Sequence, residues 1–400
     1  MTIDAATLAR YADLIVGFGA NVQPGQPVFL GSEVGKEDLT RAVVEACYRR
    51  GARFVDVEYF DPWTKRARLL GAAPDALDYV PPWYGDRVRG LVKEGGAAIR
   101  LSGAVAPRLL ADVDPALVGR DRLPNVPELT EAVIAGQLNW VIAGCPTPGW
   151  AELAHPDLPP PEATRRLWDE VLSACRVDEP DPVAAWEVRM GRLVEVAGRL
   201  TERRFDRVLL DGPGTELSVG LLPSSTWRAA TMTTVGGLVF HPNLPSEETF
   251  TTPDPDRVDG VVRSTRPLQL GGAIVRGLEV RFEGGRAVAI EAEEGAEAMR
   301  ARSGIDDGAA RLGELALVDR HGRVGALETV FFDTLYDENA ASHIALGAGM
   351  PDAVDAPDRE RINRSEVHVD FMVGSEEVEV TGVTAGGERV PILRRGDWAL

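Results

Sequence analysis

The feature that most constrains this chain is a change of texture near residue 205. Upstream of it, helix and strand signals alternate. Residues 4–22 carry the periodicity of an amphipathic helix, and "PVFLGS" (27–32) reads as a short apolar strand. "KEDLTRAVVEACYRRG" (36–51) reads as a helix ended by Gly51 and is followed by the strand "RFVDVEY" (53–59). "AAIRLSG" (97–103) and "NWVIAGC" (139–145) are again strand-like, and two helices follow at 160–176 and 182–204. Strands separated by helices predict a mostly parallel sheet covered on both faces. Downstream of "FDRVLLDG" (205–212), strand-like runs dominate, interrupted by one helix, "AEAMRARSG" (296–304). The expected organisation is an α/β N-terminal domain over 1–205 and an α+β, sheet-rich C-terminal domain over 206–400. The stretch "FHPNLPSEETFTTPDPDRV" (240–258) is rich in Pro, Thr and acids, and is expected to be a long loop, not a buried element.

Charge and cysteine usage narrow the function. A net charge of −19 argues against nucleic acid, whose phosphates require clustered Lys and Arg. No apolar run approaches the roughly 18 residues needed to cross a bilayer, so no membrane partner is expected. The N-terminus carries an early acid and no basic region, and reads as a helix in place of a signal peptide. Cys47, Cys145 and Cys175 are scattered and form no CxxC, which points to a reducing cytoplasm and to neither a disulfide framework nor a thiolate zinc site. Phosphate motifs fail too. "GSEVGKE" (31–37) has the wrong glycine spacing and no Ser or Thr after Lys36, and "GFGANV" (17–22) ends a helix instead of following a strand.

The chemistry concentrates in acids and histidines. In "EVHVDFMV" (366–373) the strand period places His368 and Asp370 on one face and Val367, Val369, Phe371 and Val373 on the other. In "RLGELALV" (311–318), Leu312, Glu314 and Ala316 are expected to share a face, and an acid inside such a strand is costly to bury unless paired or metal-bound. His343 lies in "DENAASHIALGAGM", five residues after Glu338, and Glu248 lies in the 240–258 stretch. Taken singly, Glu314 reads as a paired structural acid, Glu248 as a loop acid, Glu338 as a cap and His343 as a core histidine. Taken together, carboxylates and imidazoles without thiolates suit zinc, cobalt or manganese. Six donors exceed what one open catalytic ion uses and suit a pair of divalent ions.

Four segments, "NLPSEETFTTP", "RLGELALV", "TLYDENAASHIALGAGM" and "INRSEVHVDFMVG", resemble in order and spacing the M29 aminopeptidases, the thermophilic metalloprotease family. The resemblance implies a cytoplasmic homodimer enclosing a chamber. It also implies two divalent ions per subunit and action on peptides with a free N-terminus. Carried over by motif, the ligands are Glu248, Glu314, Glu338, His343, His368 and Asp370, with Glu314 bridging the ions or moving the proton. The family usually has a tyrosine seven residues after the histidine of "HIALG"; here that position is Met350, which has no donor. Tyr336, nearby in sequence, reads as a strand or turn residue. Besides an aminopeptidase, this pattern leaves open an impaired member that binds peptide or metal, and a two-metal hydrolase of another amide or ester.

Overall fold

The structure is a computed structural model that describes residues 3–400 apart from 122, 125, 230 and 271. The chain forms two compact units, 1–187 with 231–245 and 188–230 with 246–400. They part inside the helix Pro182–Arg203, upstream of the expected boundary near 205. The helical period runs unbroken through that helix, so texture marks only where it ends.

The first unit is built on five parallel strands: β1 (Pro27–Glu33), β2 (Phe54–Phe60), β3 (Ala97–Ser102), β4 (Asn139–Gly144) and β5 (Asn243–Leu244). Their order across the sheet is β5-β4-β3-β1-β2. In β1 the period of two buries Val28, Leu30 and Ser32 and leaves Phe29, Gly31 and Glu33 on a half-open face. The crossovers are helical, and those at Pro62–Gly71, Pro82–Lys93 and Pro127–Ile134 each start on a proline, whose missing N–H costs nothing in a first turn. β5 comes from residues 231–245, which return to this unit and pair with β4.

The second unit holds two large antiparallel sheets and a two-stranded ribbon, Leu268–Leu270 with Ala273–Val275. The larger has eight strands, with Phe205–Gly212 and Thr215–Leu221 at its centre. The smaller contains β6 (Glu248–Thr251), β7 (Leu312–Val318), β8 (His343–Gly347) and β9 (His368–Met372), in the order β9-β8-β7-β6, with Arg228–Ala229 at the far edge. One apolar core joins Leu315, Leu317, Ile344 and Phe371 of the smaller sheet to Val208, Val219 and Val262 of the larger. Parallel helical and antiparallel sheet-rich parts thus follow the expected fold class.

Two local expectations are corrected. The 240–258 stretch is not an exposed loop: it contributes β5, β6 and the start of a long strand, and all four residues of β6 are buried. Threonine makes this possible, because its hydroxyl satisfies backbone carbonyls of distant segments while its branch favours a strand. Thr251 Oγ1 donates to Thr226 O at 2.9 Å, and Thr252 Oγ1 donates to Met350 O at 3.0 Å. Leu312 does not share a face with Glu314 either. The register slips by one between them, and Leu312 enters the core beside Leu315 and Leu346. Gly313 sits in the slip, where a Cβ would lie 2.2 Å from Ala348 O.

Candidate metal centre

Strand register brings the candidate donors together. Across the smaller sheet, Glu314 pairs with Ala345, and Ala345 with Asp370; Ala316 pairs with His343; Gly347 pairs with His368. On β6, Phe250 pairs with Ala316, and Glu248 stands two residues away on the same face. Glu248, Glu314, His343, His368 and Asp370 therefore project from one face of four adjacent strands. Ala316 and Ala345 lie between them on that face, both fully buried, and the opposite face of the strands is core.

The donor atoms form two overlapping groups. Glu248, Glu314 and His343 make one, and Glu314, His368 and Asp370 the other, with the ligating atoms of each group within 4.8 Å of one another. Glu314 belongs to both. His343 Nε2 lies 3.1 Å from Glu248 Oε2, and His368 Nε2 lies 3.0 Å from Glu314 Oε2 and 3.2 Å from Asp370 Oδ1. Glu248, Glu314 and His343 are buried, whereas His368 keeps 27% of its side-chain surface open. The site is thus anchored in the interior and reachable from one side.

The ring nitrogens facing away from the cluster are held by backbone. Nδ1–H of His368 donates to Ala348 O at 2.9 Å, and that of His343 to Ala341 O at 3.3 Å. This leaves each Nε2 turned to the carboxylates, the orientation that metal-ligating histidines take from such partners. A carbonyl acceptor belongs to the fold and carries no sequence signal.

Glu338 stands outside both groups but close enough to feel them. Burial, with the charges of Asp370 and Glu248, pushes its carboxyl well above the usual range. Glu314 is raised in the same way, by burial first and by Glu248 and Asp370 next, against the pull of His368. Burial works against charge on His343, but Glu248, Asp370 and Glu314 outweigh it and lift the ring to about 10. His368 is likewise raised well above its ordinary value, its burial outweighed by Asp370 and Glu314. Asp370, although buried, is lowered by His368 and His343.

Four acids crowded this closely need positive charge, and here protonated imidazoles supply it. Glu248 Oε2 is buried and, apart from its 3.1 Å approach to His343 Nε2, meets no hydrogen-bonding group. An orphaned oxygen, a shared carboxylate and a mixed oxygen and nitrogen donor set all fit divalent cations. Cys47 and Cys145, by contrast, are buried thiols pushed up to about 12 by desolvation, and offer no thiolate.

A supporting network was not legible in the sequence. Arg189 donates from Nε to Glu247 Oε2 at 2.5 Å and from Nη1 to Asp319 Oδ2 at 3.1 Å, all three residues being buried. Glu247 N donates to Asn339 Oδ1 at 2.6 Å. The neighbours of Glu248 and Glu338 are thereby clamped together. The doubled acid in "PSEETF" was the available signal, since the two sides of a strand send Glu247 and Glu248 in opposite directions. Tyr336 packs fully buried against Phe331, ring centroids 4.9 Å apart, in the short helix Thr334–Asp337 instead of a strand or turn.

Residues 4–398 match the family described as Thermophilic metalloprotease (M29). Over 98% of both chains, this protein is 41% identical to a relative named Aminopeptidase T from Thermus thermophilus. It is 35% identical to Aminopeptidase 2 from Geobacillus stearothermophilus, over 98% of this chain and 97% of that one. A solved structure titled wild-type AmpT from Thermus thermophilus superposes with a TM-score of 0.91, covering 99% of each chain. The chain belongs to the M29 thermophilic metalloprotease family.

Proposed function

We propose that this chain is a metal-dependent aminopeptidase that releases the N-terminal residue of peptides. The observation that carries this reading is the sharing of Glu314 between two donor groups on one sheet face. Glu248 and His343 would hold one divalent ion, His368 and Asp370 a second, with Glu314 common to both and Glu338 completing the set of acids. Zinc, cobalt and manganese all suit these donors. Ions bound there supply a water of lowered pKa and polarise the scissile carbonyl.

The protein's own part is to place and to neutralise. Backbone carbonyls fix both rings so that Nε2 faces the cluster. The excess of carboxylate attracts a free α-ammonium, which selects a peptide's N-terminus over its interior. Glu314, common to both donor groups, would bridge the ions or move the proton.

The names of the relatives support the reaction class. The M29 resemblance further implies a homodimer and a cytoplasmic setting. Three buried cysteines that form no disulfide agree with a reducing compartment, and among the described residues no helix is long and apolar enough to cross a membrane. One observation favours a second reading, an impaired member: Met350 offers no hydrogen to an oxyanion.

Chelator-treated protein should regain hydrolysis of aminoacyl-4-nitroanilides on addition of Co²⁺, Zn²⁺ or Mn²⁺, and should leave N-acetylated analogues intact. Cleavage of the acetylated substrates would sink the exopeptidase reading. Metal uptake without turnover would favour the impaired one. Light scattering tests the dimer.

A further inference from the structure

We infer that Trp398, near the end of the chain, is a positioning residue for the metal centre. It acts on Glu248 through Asp319, Arg189 and Glu247. This role presupposes the proposed metal centre and deepens it, adding a part of the fold that carries no donor.

The ladder between β6 and β7 ends in a charge conflict. Glu248 is the first residue of β6 and pairs with Val318, the last of β7. One step further out, Glu247 and Asp319 stand opposite each other. Like charges so placed repel, and both of these acids are buried. Arg189 joins them, donating from Nε to Glu247 Oε2 at 2.5 Å and from Nη1 to Asp319 Oδ2 at 3.1 Å. Its Nη2 donates at 3.2 Å to Glu247 O, the carbonyl of the peptide that leads into Glu248. The guanidinium therefore sets where the strand carrying Glu248 begins.

One cation between two acids leaves a negative charge over, so Asp319 needs further donors. His321 N donates to Oδ1 at 2.8 Å, and the Trp398 indole donates from Nε1 to Oδ2 at 2.6 Å. Trp398 gets there because the chain turns back at Arg395 and Gly396, whose φ of 50° and 74° suit a tight hairpin. The turn pairs Trp398 with Leu393 and Asp397 with Arg394. It is tied to the residue after Asp319: Arg320 N donates to Gly396 O at 2.9 Å, and Arg320 Nε to Asp397 Oδ1 at 2.9 Å. The indole is half-buried and packs on the core of the second unit. An indole N–H is a donor only and carries no charge, so it orients Asp319 without drawing Arg189 away from Glu247.

The two donor groups should feel this unequally. Glu248 belongs to the group with His343, whereas His368 and Asp370 stand on β9, at the other edge of the smaller sheet. A shift at the start of β6 weakens the first group and spares the second.

Trp398→Phe keeps a packed ring and removes the N–H. Chelator-treated parent and variant are titrated with Co²⁺, followed by visible absorption and by competition with a chelator. One equivalent of Co²⁺ should bind about tenfold more weakly, as happens when a ligand loses outer support, and the other should bind as in the parent. At saturating Co²⁺, kcat on a leucyl anilide should match the parent. In Arg189→Met, adding Trp398→Phe should cost nothing more, because the route to Glu248 is already cut. The positioning role fails if Trp398→Phe binds both equivalents like the parent, or if it weakens both alike together with the unfolding midpoint. Additive losses in the double variant refute the route through Arg189. If the parent itself takes up no Co²⁺, the metal centre falls and this role with it.

Discussion

Position 350 offers the sharpest test of how the proposed reaction is assisted. Met350 packs against Phe250, Ala316 and Ala353. Phe250 and Ala316 are the next residues on the donor face after Glu248 and Glu314, so a side chain at 350 lies beside the cluster. Its backbone is pinned on both sides by one hydroxyl: Met350 N donates to Thr252 Oγ1 at 2.8 Å, and that hydroxyl donates to Met350 O at 3.0 Å. A substituted side chain would therefore start from the same place. Met350→Tyr restores the phenol that the M29 resemblance places here. A donor that meets an oxyanion only in the transition state is worth about 2.7–4 kcal/mol, or roughly 10²–10³ in rate. The gain should appear in kcat, with KM little changed, because ground-state substrate does not use the contact. Met350→Phe brings the ring without the hydroxyl and should stay near the parent. Steady-state kinetics on a leucyl anilide, with the metal saturating, measures all three proteins. If Tyr and Phe behave alike, the missing hydroxyl is not what limits this chain, and the impaired reading loses its support.

Metal loading should release protons. His343, held at about 10, and His368, also raised, are protonated at pH 7 without a cation, yet a ligating imidazole must be neutral. Affinity should rise with pH by about tenfold per unit for each proton expelled, until the rings deprotonate on their own. Calorimetry in buffers of different ionisation enthalpy would expose a missing release. Gly313→Ala places a Cβ 2.2 Å from Ala348 O, so the strand must shift. It should cost about 1–3 kcal/mol in denaturant unfolding, and an unchanged midpoint would show that the register slip is compliant. Arg189→Met removes the guanidinium that the buried acids Glu247 and Asp319 share, which should cost about 3–5 kcal/mol. Because Glu247 adjoins Glu248, that variant should also take up metal more weakly; full metal affinity in the folded variant would refute the clamp.

How much of the site was legible depended on how local the signal was. His368 and Asp370 declared themselves because the period of a strand puts alternate residues on one face, and β9 is regular. Glu314 was conspicuous as an acid in an apolar run, and the M29 motifs pointed to Glu248 and His343, which fall in a donor group, and to Glu338, which stands outside both. The expectation for 240–258 failed because threonine and proline read locally as loop residues. Pairing of β6 with β7 on one side and Arg228–Ala229 on the other is a long-range event that satisfies the backbone of those residues.

By itself the sequence determined the alternation of elements, the change from an α/β to a sheet-rich texture and the donor types. These follow from side-chain period and chemistry, which act over a few residues. Only the tertiary structure decided that Leu312 turns away from Glu314, that Glu314 is common to two donor groups, and that Ala341 and Ala348 aim the imidazoles. It also decided that Glu247 and Asp319 face one another under one guanidinium. Each of these depends on which strand lies beside which and in what register, and register is settled by core burial summed over many distant residues.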